Sequence, residues 1–241
     1  MTYIRSRRFA SALQRLASTN ERVIEIALGS GFDTQESFTR AFKKAFGITP
    51  ASYRKNHSRL PFVRKARFDL TYLSHINQNL SLEPEIRVEP ALGLVGMRTR
   101  FFSVDSEKND FARKLPALWA QFMPRMGEVR HRTAGVAYGV IRQTPEMSDE
   151  LEYHAAVPVA ERGQLPQGME SLTLPSARYA RFTHQGRVAL LDKTVNYIYS
   201  TWLARSGMRH TYGADQEIYG PDYKADSEDS VIHYAIPVES V

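Results

Sequence analysis

The sequence predicts two folds in one chain: an all-α helix-turn-helix region at the N-terminus and, behind it, an α+β domain made of two β-α-β-β repeats related by a pseudo-twofold. Three observations carry this. Apolar residues recur at helical spacing along the N-terminal segment, Lys and Arg crowd that same segment, and one pattern of strand, helix, strand, strand then occurs twice.

The 241 residues are 42% hydrophobic, enough to bury a core without cross-links. The absence of cysteine excludes thiolate catalysis, cysteine-ligated zinc and disulfides, and it fits a reducing compartment. No stretch approaches the roughly 18 apolar residues of a membrane span, so a cytoplasmic protein without membrane contact is expected. The net charge of +6 is unevenly spread. Residues 1–67 hold 14 Lys/Arg against 4 Asp/Glu, and the remainder holds 18 against 22. A basic head on a slightly acidic body suits a polyanion partner for the head alone.

Within that head, Ile4, Phe9, Leu13 and Leu16 define a helix over 3–17. Ser18 and Glu21 have capping-box spacing ahead of a short helix striped by Val23, Ile24, Ala27 and Leu28. Gly29 and Gly31 break it, Phe32 anchors the turn, and Asp33 or Thr34 caps a second helix whose inner face is Phe38, Ala41, Phe42 and Phe46. Gln35, Glu36, Thr39, Arg40, Lys43 and Lys44 remain on its outside. Gly47 ends this helix, and Thr49-Pro50 starts a third. Two short helices locked by a glycine turn, the second presenting polar and basic side chains, have the dimensions that fit a DNA major groove.

The segment VIEIALGSGFDTQESFTRAFKKAFGITPASYRK resembles the second helix-turn-helix of the AraC/XylS family of transcription activators. The resemblance implies double-stranded DNA as a partner and RNA polymerase as a further one. It places Gln35, Glu36, Thr39 and Arg40 at base edges, with Lys43 and Lys44 on phosphates. The chemistry agrees: Gln pairs bidentately with adenine and Arg with guanine, while a lysine acts as a point charge. Glu36 either accepts from cytosine or repels phosphate to oppose nonspecific binding. Such regions pair two helix-turn-helix units through a long helix, and YIRSRRFASAL resembles that helix. A first unit is therefore expected before Met1. Its absence leaves open a misplaced start, a shortened chain, or DNA binding by one unit with dimerisation.

The DNA-binding region is expected at 1–57 and a linker at 58–84, where Pro61 and Pro84 interrupt any period; the second domain is expected at 85–241. Arg64, Lys65 and Arg67 in the linker either touch the DNA backbone or, as the preferred reading, are solvated. In the second domain AVPV at 156–159 recurs as AIPV at 235–238. Phe111, Leu115, Leu118 and Phe122 match Leu191, Val195, Ile198 and Trp202, and Trp119 matches Tyr199. The strands are expected at 85–101, 134–142 and 150–159 in the first copy, and at 172–184, 215–220 and 230–238 in the second. Pro116 should kink the first helix or mark a later start. Tyr153, Ala155 and Val157, like Ile232, Tyr234 and Ile236, should face the helices; Glu152, His154 and His233 should face the opposite way, toward a ligand cleft.

This duplication, with LPSARYARFTHQG at 174–186, EIYGPDY at 217–223 and the terminal IPV, resembles the GyrI-like effector-binding domain. The resemblance implies a small-molecule effector in an aromatic-lined pocket, often with a buried glutamate that favours cations. At the final-strand position expected for that glutamate the sequence has His233. The effector-binding candidates are Trp119, Tyr138, Glu152, Tyr153, His154, Tyr219 and His233, with plain core packing an equal reading for the aromatics. A neutral His233 would donate to an anionic or polar effector. The seven histidines are scattered, so no metal site or cofactor is expected. No nucleophile–base–orienter set is legible, and an enzyme is not expected. The alternative is a hydrolase or sequestering protein that uses Glu152 with Tyr153 or His154, since some relatives of that domain resemble enzymes.

Overall fold

A computed structural model describes residues 12, 15–16, 19–46, 49–56, 78–102, 108, 110–144, 150–161 and 163–240. The helix expected at 3–17 lies outside these apart from Ala12, Arg15 and Leu16; Ser18, Gly47 and most of the linker are outside as well.

In the N-terminal region α1 (Val23–Gly29), α2 (Gln35–Phe46) and α3 (Pro50–Asn56) follow one another at short intervals. α1 starts at Val23, where the Glu25 carboxylate accepts from the Arg22 backbone N–H at 2.9 Å and satisfies an orphan donor. Start and cap thus lie four residues beyond the expected Ser18 box. Gly31 takes a φ of 74°, and the Phe32 N–H turns back to the Ala27 carbonyl at 3.0 Å. Of the two expected caps Thr34 acts, its Oγ1 accepting from the Ser37 N–H at 3.0 Å. Thr49 does the same for Ser52 ahead of Pro50. Phe38 and Phe42 are fully buried with Ile26, Ala27, Leu16 and Tyr53, and Phe32 meets Phe38 edge-on at 5.3 Å. Burying each phenylalanine contributes about 1.5–3 kcal/mol, which fixes the outer face of α2 by fixing its inner one.

The second domain contains β1 (Glu85–Glu89), β2 (Leu92–Phe102), α4 (Phe111–Phe122), β3 (Ala137–Gln143) and β4 (Glu150–Pro158). The second copy follows as β5 (Glu170–Leu174), β6 (Ala177–Gln185), α5 (Leu191–Tyr197), a π turn (Ile198–Trp202), α6 (Leu203–Arg205), β7 (Met208–His210), β8 (Asp215–Tyr219) and β9 (Val231–Ser240). All pairings are antiparallel, in the order β1-β6-β9-β8-β3-β4-β2-β5, with β7 beside β9. The pseudo-twofold therefore passes between β3 and β8. Each long first strand expected from sequence is two strands, split at Pro90-Ala91 and Pro175-Ser176 because proline cannot donate to a ladder. The split lets β1 join the second copy through β6 and β5 join the first through β2.

α4 starts at Phe111 and runs through Pro116, so the proline marks no later start. Pro116 has no N–H to donate to the Ala112 carbonyl, and both residues are exposed. One face of the sheet packs Tyr153, Ala155, Val157, Ile232, Tyr234 and Ile236 against Leu118, Phe122, Leu191 and Trp202, as their alternation requires. Among the described residues no helix is long and apolar enough to cross a membrane.

Candidate effector site and DNA-facing helix

Because Phe38 and Phe42 point inward, α2 leaves Gln35, Glu36, Arg40 and Lys43 exposed along one outer face, with Thr39 half-buried beside them. Lys44 lies on the same helix; its side chain is outside the described residues. The face carries donors and acceptors suited to base edges at its N-terminal end and a cation toward its C-terminal end.

The sheet divides the seven effector candidates. Trp119, Tyr153 and Tyr219 share the helix-covered side, whereas Tyr138, Glu152, His154 and His233 lie on the other. What gathers the first three is a residue outside the expected set, Glu217 on β8. Tyr153 Oη donates to Glu217 Oε2 at 2.5 Å and Tyr219 Oη donates to the same oxygen at 2.8 Å. Trp119 Nε1–H donates to Tyr153 Oη at 2.9 Å, and its ring meets Tyr219 edge-on at 5.3 Å. Tyr223 completes the aromatic run, 4.8 Å from Tyr219. Glu217 Oε1 has no hydrogen-bond partner among the described residues, and Glu217 keeps partial exposure.

Burial pushes the Glu217 carboxyl above its ordinary value, and the two phenols oppose that shift by stabilising the anion. Burial and the nearby carboxylate push Tyr153 and Tyr219 well above theirs, so both remain donors. A carboxylate set among aromatics thus lies on β8, the strand beside the final one, rather than at the position of His233. A signal existed: in DQEIYG, Glu217 stands two residues before Tyr219 and must share its face. A second carboxylate on that face, Asp215, is fully buried and held by Tyr199 at 2.5 Å, Tyr234 at 2.9 Å and His210 Nε2 at 2.8 Å, which makes it a structural tie.

On the opposite face Glu152, 3% exposed, is enclosed by arginines. Arg98 reaches its Oε1 at 3.0 Å, Arg142 grips its Oε2 at 2.8 Å, and Arg100 stands 3.7 Å away. His154 is equally buried, and burial together with Arg142 lowers its pKa to about 4. Tyr138 packs among Val140, Ala156 and Ile218. His233 is half-buried, its Nδ1 3.3 Å from Thr183 Oγ1. Among the described residues no group of acidic side chains and histidines is arranged to hold a metal ion.

A duplicated β-α-β-β sheet with a carboxylate set among aromatics, carried behind a helix-turn-helix unit, defines an effector-binding protein of the DNA-regulating class. The chain belongs to the GyrI-like family: residues 82–239 match the GyrI-like small molecule binding domain, and residues 1–56 match a helix-turn-helix domain. It is 28% identical to the transcriptional regulator Rob of Salmonella typhimurium, over 98% of this chain and 81% of that one. The fold is similar to that of SAV2435 bound to tetraphenylphosphonium, with a TM-score of 0.54 and 15% identity over 65% of this chain and 94% of that one. It is also similar to EcmrR in its DNA complex, with a TM-score of 0.50 and 16% identity over 96% of this chain and 77% of that one. The two domain matches and the similarity to Rob make the chain an effector-responsive, DNA-binding transcription regulator.

Proposed function

We propose that this regulator senses a lipophilic cation at Glu217 and reads DNA with the exposed face of α2. The observation that carries the first part is the free Oε1 of a partly buried carboxylate whose other oxygen holds two phenols. An anion ringed by Trp119, Tyr153, Tyr219 and Tyr223 attracts a cation through charge and through the negative faces of the rings. Trp119, Tyr153 and Tyr219 are the effector-binding residues of this reading; Tyr138, Glu152 and His154 serve the opposite face of the sheet.

Gln35, Glu36, Thr39 and Arg40 read bases, and Lys43 and Lys44 contact phosphates. Residues 1–57 form the DNA-binding region, 58–84 the linker and 85–241 the effector domain. Similarity to full-length transcription regulators supports RNA polymerase as a further partner and the cytoplasm as the place of action. A non-enzymatic role is favoured because Glu152, the carboxylate of the hydrolase alternative, has both oxygens occupied by arginines, while Tyr153 points to the other side of the sheet.

Tetraphenylphosphonium, bound by the structurally similar SAV2435, is the probe. Calorimetric titration should give saturable binding to the wild type and at least about tenfold weaker binding to Glu217→Gln. Equal affinity in the two proteins rules out this site.

A further inference from the structure

The pseudo-twofold places two histidines in equivalent positions on the face of the sheet away from the helices, and their surroundings differ. Arg98 stands opposite His154 in the β2–β4 ladder, and Thr183 stands opposite His233 in the β6–β9 ladder. Glu170 enters beside β2 at Gly96, just as Glu85 enters beside β6 at Arg181. Two residues before each histidine come Glu152 in the first copy and Val231 in the second.

In the first copy this space is full. The Arg98 guanidinium lies 3.0 Å from Glu152 and 3.1 Å from Glu170, over the buried His154. In the second copy neither Thr183 nor Val231 has the reach to fill it. What remains is a cavity of about 290 Å3 lined by Ser81, Glu83, Glu85, Arg181, Thr183 and His233. Its volume is near the lower end for small-molecule sites.

We propose that this cavity is a second ligand site, separate from Glu217, for a small zwitterion that carries a guanidinium or ammonium group and a carboxylate. The first copy identifies the cationic end, because a guanidinium already occupies the equivalent space there. Glu85, which Arg87 also approaches to 3.4 Å, takes the role of Glu170, and Glu83 adds a second carboxylate where the first copy uses Glu152. The anionic end is assigned by Arg181, which lines the cavity and makes no ion pair among the described residues, so that its fork of donors is not held by a carboxylate. Thr183 Oγ1 and His233 Nδ1 supply neutral polar contacts. Burial, with Arg181 and Arg87 nearby, lowers the His233 pKa and so favours the uncharged ring. Ser81 and Glu83 belong to the segment that leads into the domain from the helix-turn-helix side, so an occupant touches chain that connects the two functions.

The test is calorimetric titration of the full chain with L-arginine and with agmatine, its decarboxylated form. L-Arginine should bind saturably, and agmatine about five- to tenfold more weakly because Arg181 loses its partner. Thr183→Arg, which refills the space as in the first copy, should abolish binding with an unchanged melting temperature. Glu85→Gln should weaken it by a similar five- to tenfold, and Glu217→Gln should leave it unchanged. Absence of saturable L-arginine binding overturns the site. So does wild-type affinity in both Glu85→Gln and a folded Thr183→Arg. Should Thr183→Arg fail to fold, Glu85→Gln alone decides. Equal affinity for agmatine overturns the zwitterion assignment.

Discussion

Tyr153 reaches Glu217 directly over the backbone of Gly139. Gly139 and Glu217 are register partners across the β3–β8 centre of the sheet, and a Cβ added at Gly139 would collide with both Tyr153 Oη and Glu217 Oε2. The aromatic carboxylate site exists because this one position has no side chain.

Gly139→Ala is therefore expected to push the phenol off the carboxylate while the strand still pairs. Tetraphenylphosphonium affinity should fall about tenfold or more, with overpacking costing about 1–3 kcal/mol of stability. Calorimetry and a denaturant melt on the same variant check both; unchanged affinity removes Gly139 from the site.

Glu217 should make the protein less stable as pH rises. Its folded pKa is raised above the unfolded value, so the stability it contributes is fully present below the unfolded pKa and is lost as pH rises through the folded one. Glu217→Gln should erase that loss, raising the melting temperature at pH 8 by about 2–4 °C for each kcal/mol relieved, with little change at pH 4. The same pH rise should strengthen binding of a permanent cation to the wild type, since it ionises Glu217. Melting curves and titrations at both pH values read the two opposite trends.

On α2, Arg40→Ala should cost about 1–3 kcal/mol of specific binding to a cognate promoter fragment and relax one base position. Lys43→Ala should instead weaken all sequences alike and reduce the salt slope by about 1. Gel shifts at several salt concentrations separate the two behaviours, and full, salt-insensitive binding by both variants would show that another element reads the DNA.

Arg142→Ala should destabilise the domain, because it strips the Oε2 side of a carboxylate only 3% exposed. Removing one partner of a buried pair costs about 3–5 kcal/mol. Arg142 is itself about one-third exposed and Arg98 and Arg100 remain, so about 1–2 kcal/mol is expected. Arg142→Ala should leave tetraphenylphosphonium binding intact, since it acts on the opposite face; a denaturation curve beside a titration distinguishes this from a ligand role.

Much of the architecture was legible because it rests on local periodicity. The Phe38/Phe42 spacing sets which face of α2 is outside, and the alternation of Tyr153, Ala155 and Val157 sets which face of β4 meets the helices. Thr34 and Thr49 mark helix starts through bonds made within four residues. The Ser18 cap misled because serine and glutamate at that spacing occur without a helix between them, and Arg22 with Glu25 closes the same kind of bond further on.

The amino-acid order alone determined the two-part organisation, the internal duplication, the exposed polar and basic face of α2 and the aromatics available to a ligand. Only the tertiary structure decided that Trp119, Tyr153 and Tyr219 converge on Glu217 while Glu152, His154 and His233 are turned away from it. It also decided that the duplicated histidines sit one in a filled space and one in an open cavity. The physical reason is range. Helix and strand faces follow from neighbours two to four residues apart, whereas Tyr153 and Glu217 are brought within a hydrogen bond by a strand order that crosses the pseudo-twofold, which no local pattern encodes.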